Sequence, residues 1–205
     1  MDYNALASKD VLDRTVIALK ERNFEPIVVA SKEEALEKIK ELIPKGASVM
    51  NGSSRTLEGI GFIEYLKTGQ HGWNNLHAGI AAEQDPEKQG QLRRQAVLSD
   101  YYLGSVHALS EGGEMVIASN SGSQLPHITF TSPNLIFVVG TQKITPTLAD
   151  AEARLRNYVI PLEDRRMKEA GMGGTALNKL FHFFGEPTYT GRKVRVLLVK
   201  EILGF

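Results

Sequence analysis

Two polar stretches far apart in the chain carry the side chains best suited to chemistry. One is ALSEGGEMVIASNSGSQ at 108–124, where Glu111 precedes Gly112 and Gly113. Glycine permits tight turns and close backbone approach, so a carboxylate here can be held at the edge of a pocket. Beyond a short apolar run come Asn120, Ser121, Gly122, Ser123 and Gln124. They offer hydroxyls, amides and backbone N–H groups with no charge, which suits hydrogen bonding to a polar ligand. The plainer alternative is a β-hairpin with a polar loop.

The second stretch is Gly52, Ser53, Ser54, Arg55 and Thr56, which leaves one expected strand and enters a helix. Free N–H groups at a helix start attract anions, and Arg55 adds a fixed fork of positive charge. This segment can cradle a phosphate or carboxylate. It is neither a Walker A loop nor a dinucleotide fingerprint, and a simple helix cap is the competing reading. Lys143 follows a third expected strand and can place an ammonium in the same cleft. His107, just upstream of Glu111, is either a packed core residue or a pocket acid or base. His71 and His77 lack a standard metal spacing, so no metal site is expected.

Positioning these groups requires a sheet. Ser8 caps a helix from about Lys9 to Asn23, and EPIVVA at 25–30 is a strand. Ser31 and Glu34 form a capping box for a second helix, and ASVMN at 47–51 is the next strand. A helix then runs to about Lys67, and 70–79 is a loop. Asp85 and Pro86 open another helix. DYYLGSVHAL at 100–109 fits either a helix or a strand. Met115 to Ala118 suits a central strand, and LIFVVG at 135–140 suits one covered on both faces. Thr147 to Tyr158 reads as a helix ended by Pro161. Gly171 to Gly174 is a linker or hinge, and VRVLLV at 194–199 is the last strand. The alternation of helices and strands favours a mostly parallel sheet with helices packed on it. Ligands in such sheets bind at the carboxyl ends of strands.

Composition sets bounds. The chain has 205 residues, 24 basic and 24 acidic. Zero formal net charge argues against a nucleic-acid or membrane-surface partner. Without cysteine the chain has no disulfide, thiol catalysis or cysteine-ligated iron–sulfur cluster. Neither a signal peptide nor a run of roughly 20 apolar residues is visible, so a cytoplasmic location is expected.

Four segments together resemble the LUD-domain family, which includes lactate-utilization proteins and was long classed as domain of unknown function 162. They are NGSSRTLEGIG at 51–61, SVHALSEGGEMVIASNSG at 105–122, LIFVVGTQKITPTLADAEARLRN at 135–157 and GRKVRVLLVKEILGF at 191–205. The resemblance covers most of the chain and implies one LUD domain over 1–205, with 1–45 packed on it as an N-terminal part. It also implies a three-layer α/β/α Rossmann-like sandwich akin to sugar-phosphate isomerases and CoA transferases. In that wider fold the first Ser/Thr-rich loop contacts a phosphate or carboxylate, which maps to Gly52 through Thr56. A carboxylate before a glycine turn acts as base or nucleophile, which maps to Glu111.

Two departures stand out. Many relatives carry a Gly-Asn-Arg triplet in the second loop, where this chain has Ser121, Gly122, Ser123 and Gln124, which implies that one cationic contact is missing. Larger lactate-utilization relatives bind iron–sulfur clusters through cysteines absent here. The resemblance therefore implies an accessory subunit of lactate oxidation that binds a small anionic metabolite or nucleotide. It holds no cofactor of its own, and iron–sulfur or flavin partner subunits carry the electrons. The alternative is a stand-alone isomerase or acyl/CoA-transferase, with Glu111 as base or nucleophile and Lys143 stabilising negative charge. The apolar C-terminal LGF is a candidate surface for a homo-oligomer.

Overall fold

The structure, a computed structural model, describes residues 2–205. The chain opens with α1 (Lys9–Glu21), β1 (Glu25–Val29), α2 (Lys32–Leu42) and β2 (Ser48–Asn51). Next come α3 (Arg55–Gly59), α4 (Phe62–Lys67), β3 (Asn74–Asn75), α5 (Leu76–Ala82) and α6 (Pro86–Gln95). The middle holds β4 (Tyr101–Gly104), β5 (Ala108–Ser110), β6 (Met115–Ser119), β7 (Asn134–Gly140) and β8 (Ile144–Thr145). The chain ends with α7 (Leu148–Arg154), α8 (Ile160–Glu169), β9 (Lys179–Phe183) and β10 (Lys193–Val199).

Local chemistry fixes several boundaries. Ser8 Oγ accepts from Val11 N–H at 3.3 Å to start α1, which buries Leu12, Thr15 and Leu19 on one face. Ser31 Oγ accepts from Glu34 N–H, while the Glu34 carboxylate accepts from Ala30 N–H at 2.6 Å. Two donors at the start of α2 are thereby satisfied. Asp85 caps α6, with Pro86 at its first position.

Six strands form an all-parallel sheet in the order β1-β10-β7-β4-β2-β3. Helices flank it in a three-layer, Rossmann-like α/β arrangement. β7 is central and buried over six successive residues, as a strand covered on both faces must be. One face packs on α2, α3 and α4 through Ala35, Ile39, Leu57 and Phe62. The other packs on α1 and on a second sheet. That second sheet, β8-β5-β6-β9, is mostly antiparallel. Its far side is closed by Ala151, Leu155 and Val159.

The chain leaves β2 towards one edge, to β3, and leaves β4 towards the other, to β7 and β10. β2 and β4 are neighbours, so their carboxyl ends flank a topological switch point, where open α/β sheets leave a crevice.

Met115 to Ala118 form an inner strand as expected, though of the second sheet, where β5 and β6 make the hairpin offered as the plainer alternative. Three expectations need correction. The helix expected from the 52–56 loop to Lys67 is two short helices broken at Gly61, whose φ is +77°. Part of the expected loop at 70–79 is β3 and the start of α5, capped by Asn75. Pro161 does not end the helix that begins at Leu148. A wide helical turn at Leu155–Val159 intervenes, and Pro161 sits in the first turn of α8, where no N–H is needed. The ambiguous 100–109 segment resolves into β4 and β5.

Candidate functional site

A cleft of about 520 Å³ opens at the carboxyl ends of β2, β4 and β7. Gly52 through Thr56 form one wall, leaving β2. Gly52 N–H donates to Leu103 O at 3.2 Å, which ties this loop to the end of β4. Only glycine fits at 52, since a Cβ there would lie 2.5 Å from the Tyr102 hydroxyl. Tyr102 is buried, stacks on His127 at 4.6 Å between ring centroids, and also lines the cleft. Ser54 Oγ accepts from Leu57 N–H, so the loop serves as a helix cap as well as a wall.

Lys143 lies on the cleft floor and is 3% exposed. Its Nζ donates to Thr56 Oγ1 at 3.0 Å, Ser105 Oγ at 3.1 Å and Val106 O at 3.2 Å. All three partners are neutral oxygens, and Lys143 forms no ion pair among the described residues. Burial first, then the nearby Arg154 guanidinium, pushes its ammonium down to about 7.

His107 also lines the cleft. Its Nδ1 accepts from Ala118 N–H at 3.1 Å, so the neutral ring carries its proton on Nε2. Burial, then the charges of Lys143 and Arg154, push its pKa down to about 3. At neutral pH His107 is therefore a fixed hydrogen-bond donor rather than a proton shuttle. Beneath it Arg154 is fully buried, donating to His107 O at 2.6 Å and lying over the Tyr158 ring.

The far wall comes from the loop after β6 and from α8. Asn120, Ser121 and Ser123 line the cleft, with Ser121 Oγ bonded to Ser123 Oγ at 3.1 Å. Gly122 does not. It is a turn glycine with φ +88°, packed against Lys179. From α8, Glu163 and Arg166 line the cleft as an ion pair at 2.6 Å. Arg55 is likewise paired, to Glu58. Lys143 is therefore the cleft-lining cation whose charge no carboxylate offsets.

Glu111, Gly112 and Gly113 are not at this cleft, which corrects the expectation that the carboxylate edges the pocket. Glu111 Oε2 accepts from Arg14 Nη2 at 2.7 Å and from Arg14 Nε at 3.2 Å. Gly112 O accepts from Arg22 Nε, and Gly113 packs on Ala18 at the end of α1. The reason is the length of β6. Its five residues separate the 111–113 turn from the 120–123 loop by roughly 16 Å, at about 3.3 Å per residue. The two ends of one strand cannot share a small pocket.

Sequence reasoning passed over Tyr102, Ser105, Glu163 and Arg166. Ser105 had an available signal, because it leaves β4 as Gly52 leaves β2. The C-terminal LGF turns inward: Leu203 is buried, and Phe205 lines the cleft. Among the described residues no three His, Asp or Glu side chains gather to hold a metal. No described helix is long and apolar enough to cross a membrane.

A crystal structure of a DUF162 family protein from Deinococcus radiodurans resembles this chain with a TM-score of 0.54 at 10% sequence identity. The alignment covers 95% of this chain and 98% of that one, and at this identity it speaks for the fold. Among curated proteins, none matches. The LUD domain pattern matches residues 12–179. That match takes in five of the six strands of the parallel sheet and every cleft-lining residue except Phe205, and on it the chain belongs to the LUD domain family.

Proposed function

We propose that the cleft binds a small anionic metabolite or nucleotide and that the protein serves as an accessory subunit of lactate utilization. The observation that carries the ligand reading is Lys143, a buried cation on the cleft floor with only neutral oxygen partners. A buried charge is costly unless offset, and an anionic ligand would offset it. His107 Nε2–H and the hydroxyls of Ser53 and Ser123 add neutral donors around the same space. Position supports the reading too, since the cleft lies where open α/β sheets bind ligands.

The lactate role rests on family membership. A chain without cysteine has no ligands for a cysteine-held cluster, so electron transfer would fall to iron–sulfur or flavin partner subunits. The isomerase or transferase alternative loses its base, because Glu111 is engaged by Arg14 outside the cleft.

A thermal-shift screen of 2-hydroxy acids, sugar phosphates, CoA esters and nucleotides tests the ligand reading. A true ligand at 100 times its dissociation constant stabilises by about 2.7 kcal/mol. Purification from the native host tests the subunit reading. Co-purifying flavin or iron–sulfur proteins support it, and a clean homo-oligomer counts against it.

A further inference from the structure

Lys143 is set up for more than charge. As an ammonium it has three N–H donors for Thr56 Oγ1, Ser105 Oγ and Val106 O. As a neutral amine it has two donors and one lone pair. Thr56 Oγ1 directs its own proton to Leu203 O at 3.2 Å, so it must accept from Nζ, as must Val106 O. The third contact can reverse. The Ser105 hydroxyl proton can point to Val106 O, at 3.3 Å, or into the Nζ lone pair. Both protonation states are satisfied by turning one hydroxyl. With the Ser105 proton on Val106 O, the lone pair of the amine faces Ser105 Oγ with no proton between them, and a carbonyl compound in the cleft takes that direction by displacing this one hydroxyl.

We infer that Lys143 forms an imine with a small carbonyl compound bearing a carboxylate or phosphate, with His107 and the hydroxyls of Ser53 and Ser54 orienting it. The inference rests on the reading of this cleft as an anion site. The Nζ lone pair attacks the carbonyl carbon, and the C=O π pair moves to oxygen. The two nitrogen protons leave with that oxygen as one water as the C=N bond forms. No oxidant or reductant is consumed. His107 Nε2–H is suited to hydrogen-bond the carbonyl oxygen without giving up its proton. Burial supports the chemistry by holding the Lys143 ammonium near neutrality, so a free amine is present at pH 7. The charged and titratable groups around it are Arg154 from α7, His107 before β5, Tyr102 from β4, Arg55 from α3, and Glu163 and Arg166 from α8.

The test is reductive trapping of the full chain with cyanoborohydride, using pyruvate in one arm and dihydroxyacetone phosphate in the other, followed by peptide mapping. One reduced adduct on the Lys143 peptide in either arm is the expected result, and the reactive arm tells a 2-oxo acid from a sugar phosphate. The Lys143→Arg variant should lose that adduct while its surface lysines keep background labelling. Should that variant fold poorly, mapping of the wild-type adduct to Lys143 decides alone. Labelling spread over surface lysines, or none at Lys143, overturns the inference. A thermal shift by the same compounds separates the two readings. A shift without trapping ends the imine and leaves the anion site; neither shift nor trapping ends both.

Discussion

Lys143 Nζ lies 3.0 Å from Thr56 Oγ1, a bond that joins the loop after β7 to the loop after β2 across 87 positions of sequence. It closes the floor of the cleft and leaves a positive charge there with no carboxylate to answer it. Because burial holds this lysine at about 7 against an ordinary 10.5, it binds fewer protons folded than unfolded between those values. Stability should therefore rise with pH across that window, by up to about 1.4 kcal/mol per unit from this group. Lys143→Met removes the buried charge. Its stability gain over wild type should be largest below pH 7 and shrink towards pH 10. Denaturant titrations at pH 6, 8 and 9.5 check this, and a pH-independent difference would count against a depressed lysine.

Gly52 and Tyr102 form a steric pair. A Cβ at 52 would meet the Tyr102 hydroxyl at 2.5 Å, but the ring carbon bearing it only at 3.6 Å. Gly52→Ala should destabilise by about 1–3 kcal/mol through overpacking. Adding Tyr102→Phe should recover most of that loss, although each change alone is unfavourable or neutral. A double-mutant cycle measured by urea denaturation reads the coupling. Strict additivity would mean that the tyrosine does not set the residue at 52.

Glu111→Gln should leave ligand binding intact. The carboxylate is bound to a largely exposed Arg14, so losing the pair should cost about 0–1 kcal/mol. Melting temperature and ligand-induced shift, measured side by side, test this. A lost ligand shift in a well-folded variant would return Glu111 to the site.

Acid should weaken the fold before its carboxylates titrate. Burial holds His107 at about 3 and His127 at about 4, both below the ordinary 6.5. Below pH 6.5 the unfolded chain takes up protons that the folded chain refuses, so stability falls with pH. Between 6.5 and about 4 each histidine contributes up to about 1.4 kcal/mol per unit. His127→Asn keeps an amide beside Ser99 and Ser132, which now bond its Nδ1 at 3.2 and 3.0 Å. It should flatten the slope, and an unchanged slope would exclude His127 as a source.

Much of the sheet was legible because its signals are local. Ser8, Ser31 and Asp85 announce helices through their own caps, and residues 135–140 announce a doubly covered strand by unbroken apolarity. The 52–56 loop and Lys143 were legible as strand exits, and the fold brings both to one cleft. The second sheet was not legible, because pairs such as Ile117 with Phe181 join short strands over long separations without a periodic trace. Glu111 misled because a carboxylate beside glycines has the composition of a site. Its distance from Ser121 was nevertheless implicit in the five-residue strand between them. Glu163 and Arg166 were hidden by Pro161, which reads as a stop until the wide turn before it is known.

The central claim is that Lys143 makes this cleft an anion site, and calorimetric titration of wild type and Lys143→Met with the best ligand from the screen tests it most directly. Wild type should bind one equivalent, with affinity falling as pH rises through about 7. Lys143→Met should bind at least about tenfold more weakly, a loss of about 1.4 kcal/mol, with that pH dependence gone. Equal affinity in the two proteins would contradict the account.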